Sequence, residues 1–191
     1  LLFTDPGADT VAFAGGKGAN LAVLTRAGFP VPRGFVVVAP AYAEFVAQAA
    51  WLRDAVAALP VDDPAALQAA AAALRERLLA LPLPTAIEAE LRARLAELGL
   101  VARAVSVRSS STAEDTASAA FAGQHDTYLS VLGADAVVAH VRRCFASLWS
   151  DRAIAYRHRQ RIDHPGATMA AVGQGLVASE GSGAGFSIRP V

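Results

Sequence analysis

A glycine-rich turn that leads into a helix is the first place where this sequence could do chemistry. The run Gly15-Gly16-Lys17-Gly18 opens a segment, Lys17 to Ala27, that predicts a helix ended by Gly28 and Pro30. Glycines let a backbone approach a ligand, N–H groups at a helix start attract anions, and the lysine adds a point charge. The run therefore predicts a phosphate-binding turn, although it is not a P-loop. The alternative is a plain glycine turn with a solvated lysine.

A second candidate site begins where a predicted strand ends. The strand covers Ala104 to Val107, and Arg108 then opens a loop rich in Ser, Thr, Ala and Gly that we predict from Ser109 to Gln124. An arginine in this position can form paired hydrogen bonds with a phosphate, and it stays charged at any working pH. Ser111 and Glu114 have the spacing of a capping box, as do Thr112 and Asp115, so we assign residues Ser111 to Asp115 to a helical turn and Arg108 to a ligand.

A third candidate is the run of small residues from Ala119 to Thr127. Such a segment could fold over a nucleotide and donate backbone N–H groups to it. The alternative is an ordinary β-turn at Ala122-Gly123, and the local residues favour that turn. A strand is predicted directly afterwards, near Asp126 to Val131.

Three sections of different composition must position these residues. Residues 1–40 predict a strand, a glycine turn, a helix and a second strand, whereas residues 41–103 are rich in Ala, Leu, Arg and Glu and predict helices separated by prolines. Residues 104–191 predict strands around a polar loop and one amphipathic helix. The remaining predicted strands are Leu1–Phe3, Phe35–Val38, Met169–Val177 and Ala184–Ile188, of which the last two form a hairpin. A helix is predicted from Asp135 to Trp149. Breaks between helices are predicted at Pro60, Pro64 and Pro82–Pro84.

Composition excludes several classes of function. Seventeen basic and seventeen acidic residues balance, so no long-range field attracts nucleic acid or an anionic membrane. No apolar stretch has the length of a transmembrane helix, and the single Cys144 suits a buried thiol in a reducing cytoplasm. The four histidines lack metal-ligand spacing. The arginines between Arg142 and Arg161 are interpreted as a solvated helix face.

The order of these motifs resembles a known family. Gly15–Leu21 is followed by Val31–Phe35, Val107–Asp115 and Phe121–Gln124, and then by Ser147–Ala153 and Met169–Gln174. This ordered set is similar to the N-terminal ATP-binding domain of phosphoenolpyruvate synthase, pyruvate phosphate dikinase and rifampicin phosphotransferase. The likeness runs from about Gly15 to Val191, and the helical middle contributes little to it.

The resemblance implies an α+β, ATP-grasp-like fold that binds ATP with magnesium (Mg²⁺) and passes a phosphoryl group to a histidine on a swivelling domain. It implies that Lys17 and Arg108 contact the ATP phosphates, that Gly123 and Thr127 belong to a segment covering the nucleotide, and that Gln174 faces the adenine side. The final acceptor would be pyruvate or a rifamycin. One departure from relatives, Gly173 in place of a common Val, predicts a weakened strand.

The resemblance also implies that the metal ligands and the histidine domain lie outside this chain. We therefore expect a piece of a longer protein, with a first subdomain and the opening of a second, that does not turn over alone. Two other hypotheses remain open at this point. One is a non-catalytic nucleotide-binding or regulatory module, and the other is a helical interaction domain built on Ala41 to Gly99.

Overall fold

The fold combines one antiparallel sheet with helices on both of its faces. The computed structural model describes residues 1–112, 126–164 and 166–179, together with Gly181 and Gly183. In chain order the described elements are α1 (Val11–Arg26), β1 (Gly34–Val37), α2 (Ala39–Ala47), α3 (Leu52–Ala57), α4 (Pro64–Leu79), α5 (Thr85–Glu97), β2 (Val105–Ser111), β3 (Thr127–Val131), α6 (Ala134–Ser147), α7 (Asp151–Arg159) and β4 (Met169–Gly175). The predicted α+β class is confirmed.

The sheet places strands that are distant in sequence side by side. Its order is β1-β4-β2-β3, and every neighbouring pair is antiparallel. The central strand β4 pairs Val172 with Val36 of β1 and with Arg108 of β2. The chain therefore reaches the sheet centre last, and β4 joins the segment of the first glycine motif to the segment of the second.

The two faces of the sheet are covered differently. On one face, alternate residues such as Phe35, Val105 and Val107 enter a large apolar core with α2 and α4 to α6. On the other face, Val36 and Val172 pack with small residues of α1, among them Ala14, Ala19 and Ala22. The first face is called the helical face below, and the second the α1 face. Because β-strand side chains alternate, Ser106, Arg108 and Ser110 lie on the α1 face.

The helical middle follows the predicted breaks. α3 ends at Ala57 before Pro60, and α4 starts at Pro64, where the Asp63 side chain accepts hydrogen bonds from two backbone N–H groups. Proline is favoured in the first helical turn because it lacks the N–H that the helix leaves unpaired there. α5 starts at Thr85, directly after Pro84. Local turn chemistry therefore decides these boundaries.

Several boundaries differ from those predicted. α1 begins at Val11, but Gly15 interrupts it with φ 66° and ψ 173°, so the glycine turn lies inside the helical segment. Strand β2 continues through Ser111, where a loop was predicted from Ser109, because these small residues pair with Ala171, Ala170 and Met169 of β4. Leu1–Phe3 forms only an isolated bridge, between Leu2 and Phe35.

Two further predictions concern β4. The weakening predicted at Gly173 does not interrupt the strand, because Gly173 pairs regularly with Phe35 and Val107. A Cβ atom built at Gly173 would lie 2.1 Å from Cζ of Phe35, so the glycine makes room for that ring. The predicted partner strand Ala184–Ile188 lies outside the described residues.

The prediction that the arginines between Arg142 and Arg161 form a solvated face was wrong for Arg157. Arg157 of α7 is 1% exposed, with its guanidinium carbon 5.2 Å from the centre of the Trp149 ring. Its Nε donates a hydrogen bond to His164 Nδ1 over 3.2 Å. Packing against Trp149 and His164 thus accompanies the burial of Arg157. Among the described residues, no helix is long and apolar enough to cross a membrane.

Candidate nucleotide site

Ser110 ties the glycine turn to the sheet. Its hydroxyl accepts a hydrogen bond from the N–H of Gly18 over 3.2 Å and donates one to the carbonyl of Ala14 over 2.8 Å. A Cβ atom built on Gly15 would lie 2.3 Å from both the carbonyl oxygen and the hydroxyl of Ser110. Only glycine fits such a close approach, and its positive φ is also a conformation that other residues rarely adopt. The motif is therefore a packed junction as well as a turn.

Lys17 lies within this junction. It follows the break at Gly15 and precedes Gly18, whose N–H is held by Ser110, and its own side chain is partly buried. Ser110 is two residues along β2 from Arg108, and both lie on the α1 face. The turn with Lys17 and the strand with Arg108 are thus fastened together, which the sequence motifs could not show separately.

Arg108 has an N–H donor that no described residue pairs with. Its Nη2 donates to Gln174 Oε1 over 3.3 Å, and among the described residues its buried Nε has no hydrogen-bond partner. Burial lowers the pKa of Arg108 from its ordinary value, but a guanidinium remains protonated at neutral pH. A partly buried cation with an open donor is suited to bind an anion, since Nε and one Nη can form a pair of parallel hydrogen bonds.

Gln174 orients Arg108. Its side-chain Nε2 donates to the carbonyl of Pro32 over 3.2 Å, which holds the amide so that Oε1 faces the arginine. Its backbone carbonyl accepts a hydrogen bond from the Ser106 hydroxyl over 3.3 Å. The structure brings the predicted residues Gln174 and Arg108 into direct contact.

Thr127 lies at the edge of the same group. It is the first residue of β3 and is the Cα partner of Arg108, and its side chain is exposed. Of the predicted site residues, Arg108, Thr127 and Gln174 therefore share one part of the sheet, with Lys17 joined to it through Gly18 and Ser110. Gly123 lies outside the described residues, as does the partner of the predicted cap at Ser111.

Sequence reasoning missed the role of Ser110. It treated Ser109 to Ser111 as a loop that could supply hydroxyl donors, whereas Ser110 is fully buried in β2. The signal was present in the alternation of Ser106, Arg108 and Ser110 with Val105 and Val107, which is typical of a strand with one polar face. A longer strand would have placed Ser110 against the helix that covers that face.

Other reactive groups do not add to this site. The thiol of Cys144 is buried on the helical face, and burial raises its pKa well above the ordinary value. A thiol held protonated in an apolar core is inert. Within residues 1–112, 126–164 and 166–179, no three His, Cys, Asp or Glu side chains form a group that could hold a metal ion.

Comparison with known proteins agrees with this geometry. The family model described as pyruvate phosphate dikinase, AMP/ATP-binding domain, matches residues 11–191. The chain is 40% identical to phosphoenolpyruvate synthase of Pyrococcus furiosus over 99% of its own length and 28% of the relative. It is 42% identical to rifampicin phosphotransferase of a Streptomyces species over 98% of its length and 22% of the relative.

A third relative is similar to the same extent. The probable phosphoenolpyruvate synthase of Pyrococcus abyssi is 40% identical over 96% of this chain and 27% of its own length. The chain thus spans about a quarter of the length of the curated relatives it matches. Because the family model covers nearly the whole sequence, this chain belongs to the pyruvate phosphate dikinase AMP/ATP-binding domain family.

Proposed function

We propose that this chain is the ATP-binding part of a phosphotransferase, which passes a phosphoryl group from ATP through a histidine domain to pyruvate or to a rifamycin. The observation that carries the proposal is the partly buried Arg108, whose Nε has no hydrogen-bond partner among the described residues and which lies two residues from Ser110, the residue that fastens the glycine turn. The names of the relatives supply the two candidate acceptors.

Each predicted residue has a role in this proposal. Lys17 and Arg108 bind the ATP phosphates, and Thr127 and Gly123 belong to the segment that covers the nucleotide. Gln174 faces the adenine side while it holds Arg108 in place. The finer fold assignment, an ATP-grasp-like arrangement of two subdomains around ATP, is part of the same proposal.

The chemistry assigned to this chain is positioning and charge neutralisation. A transferring phosphoryl group carries charge on its oxygens, and fixed cations and backbone N–H donors stabilise that charge in the transition state. Arg108 is held by Gln174 before any ligand arrives, so little reorganisation is needed on binding. Bound Mg²⁺ would neutralise further charge on the ATP phosphates.

Calorimetric titration of the full-length gene product with ATP and magnesium tests the nucleotide site. We expect Lys17→Ala and Arg108→Ala each to weaken ATP binding at least about tenfold, because each removes a charged side chain that donates hydrogen bonds to the phosphates. The matched control is Arg159→Ala, which removes an exposed arginine of α7 and should bind ATP like the wild type. Full affinity in the Arg108→Ala variant would contradict the proposed site.

The acceptor needs a separate measurement. ATP consumption by the full-length gene product with pyruvate, and in parallel with rifampicin, distinguishes the two versions of the transferase. Consumption with neither acceptor, in a protein that still binds ATP, would favour a non-catalytic nucleotide-binding or regulatory module instead.

A further inference from the structure

Asp126, the residue directly before the edge strand β3, accepts four hydrogen bonds. Its backbone carbonyl accepts hydrogen bonds from the N–H of Ser109 over 3.2 Å and from the Ser109 hydroxyl over 3.0 Å. Its carboxylate accepts one from the Tyr128 hydroxyl over 2.9 Å and one from Arg152 Nη2 over 2.5 Å. Four donors from β2, β3 and α7 therefore converge on the residue directly before Thr127.

Strand β3 needs such an anchor because little else fixes its register. Within the described part of the chain it is an edge strand of the sheet and pairs with β2 alone. Its pairing with β2 shifts between Val105 and Val107, and Ser130 has a positive φ of 56° at this irregularity. A shift of one residue turns every side chain of a strand to the opposite face. Thr127 would then leave the α1 face, on which Arg108 lies.

Arg152 contacts Asp126 from outside the sheet. It belongs to α7, a helix whose start is fixed by the Ser150 side chain, which accepts from the N–H of Ala153. The Arg152 side chain is 48% exposed and the Asp126 side chain 31% exposed. An ion pair with this exposure contributes little to global stability, so a role in local geometry accounts for it better.

We propose that Arg152, acting through Asp126, positions Thr127 beside Arg108 and so sets the affinity of this site for ATP. Neither Arg152 nor Asp126 is required to touch the nucleotide. The inference rests on the proposed function, because it assigns Thr127 to the nucleotide site. It concerns positioning residues that the sequence motifs did not single out.

A double-mutant cycle on the full-length gene product tests the pair. The variants Arg152→Ala, Asp126→Ala and their combination are titrated with ATP and magnesium, and thermal unfolding is recorded for each. We expect each single variant to weaken ATP binding about fivefold to tenfold, the double variant to lose no more than either single one, and Arg152→Lys to keep most of the affinity. Additive losses, or wild-type affinity in both single variants, would overturn the proposal.

The control removes a comparable ion pair away from the site. Arg94→Ala deletes the contacts of Arg94 with Glu90 and Glu97 on α5, which have similar exposure and lengths of 2.7 and 2.8 Å. This variant should bind ATP like the wild type. Equal weakening in Arg94→Ala would show a general effect of lost surface charge and would contradict positioning by Arg152.

A readout without ATP separates this inference from the proposed function. Hydrogen exchange measured on peptides that cover β3 should become faster in Arg152→Ala and Asp126→Ala, and stay unchanged in Arg94→Ala. If the wild type does not bind ATP, the proposed function fails, and exchange still decides whether Arg152 holds β3. Unchanged exchange in β3 of both single variants would overturn the positioning role.

Discussion

The two faces of the sheet differ in how they treat polar groups. On the helical face, side chains such as Phe35, Val107 and Phe145 fill a continuous apolar core. On the α1 face, small residues bring α1 close to the sheet, and beside them Ser106 and Arg108 place polar groups that form hydrogen bonds with Gln174. One face is built for stability. The other gives up apolar burial in exchange for a hydrogen-bonding surface.

Two arginines illustrate the same difference. Arg157 lies among the helices, and burial lowers its pKa to about 10, while its two Nη atoms have no hydrogen-bond partner within the described part of the chain. Arg108 is only partly buried, and Gln174 holds one of its nitrogens. A cation on the α1 face can be compensated by an anionic ligand, whereas the one among the helices depends on packing with Trp149.

The largest expected effect on stability is on the helical face. Phe145 is fully buried, with its ring centre 5.4 Å from that of Tyr42 and 5.6 Å from that of Phe45. We expect Phe145→Ala to lower the free energy of unfolding by about 3 to 5 kcal/mol, because it leaves a cavity. Urea unfolding measures the loss, and calorimetry below the transition should find ATP affinity close to that of the wild type.

The control for this variant is Phe29→Ala, since Phe29 is 60% exposed and should change stability by no more than about 0.5 kcal/mol. If folded Phe145→Ala protein lost its affinity for ATP, the two faces could not be treated as independent.

The next effect combines stability with binding on the α1 face. Gly15→Ala places a Cβ against Ser110 at a backbone conformation that favours glycine, so we expect a loss of about 2 to 3 kcal/mol in the free energy of unfolding. Because the junction holds Lys17, ATP affinity should fall as well. Gly28→Ala is the matched control, since Gly28 also has a positive φ of 81° but nothing lies within 4 Å of its added Cβ.

Gly28→Ala should therefore lower the free energy of unfolding by only about 1 kcal/mol and leave ATP affinity unchanged. Equal losses in the two variants would show that backbone conformation alone matters, and the close contact with Ser110 would have no separate importance.

The smallest expected effect is a pH dependence of the free energy of unfolding that arises at His164, beside Arg157. Burial, and then the charge of Arg157, lower the pKa of His164 from its ordinary value of 6.5. The unfolded chain therefore binds a proton more readily than the folded one, and the free energy of unfolding should fall as pH drops below about 6.5. Urea unfolding between pH 5 and pH 8 measures this slope.

The variant His164→Gln removes the titrating group but can still accept the hydrogen bond from Arg157 Nε. It should show a smaller loss of stability over the same pH range. An identical slope in the variant would show that the pH dependence does not arise from His164.

The sequence proposed a candidate site before any fold was known. Local signals, a glycine turn and an arginine at a strand, singled out Lys17 and Arg108, and the family resemblance added Thr127 and Gln174. The structure brings Arg108 and Gln174 into contact, and their binding role stays a prediction. The predicted end of β2 was wrong. Serine is typical of loops, but pairing with β4 overrides its low strand propensity here. The prediction that Arg157 is solvated was wrong, because helical periodicity does not reveal which face of a helix other elements cover.

By itself, the sequence determined the helix breaks at its prolines, the glycine turn and the α+β class, since each depends on neighbours a few residues apart. Only the tertiary structure decided that Ser110 holds Gly18, 92 residues away, and that Gln174 holds Arg108, 66 residues away. Such contacts depend on sheet order, in which β4 enters between β1 and β2. A local pattern cannot specify that order, because the free energy that selects it comes from the packing of the whole core.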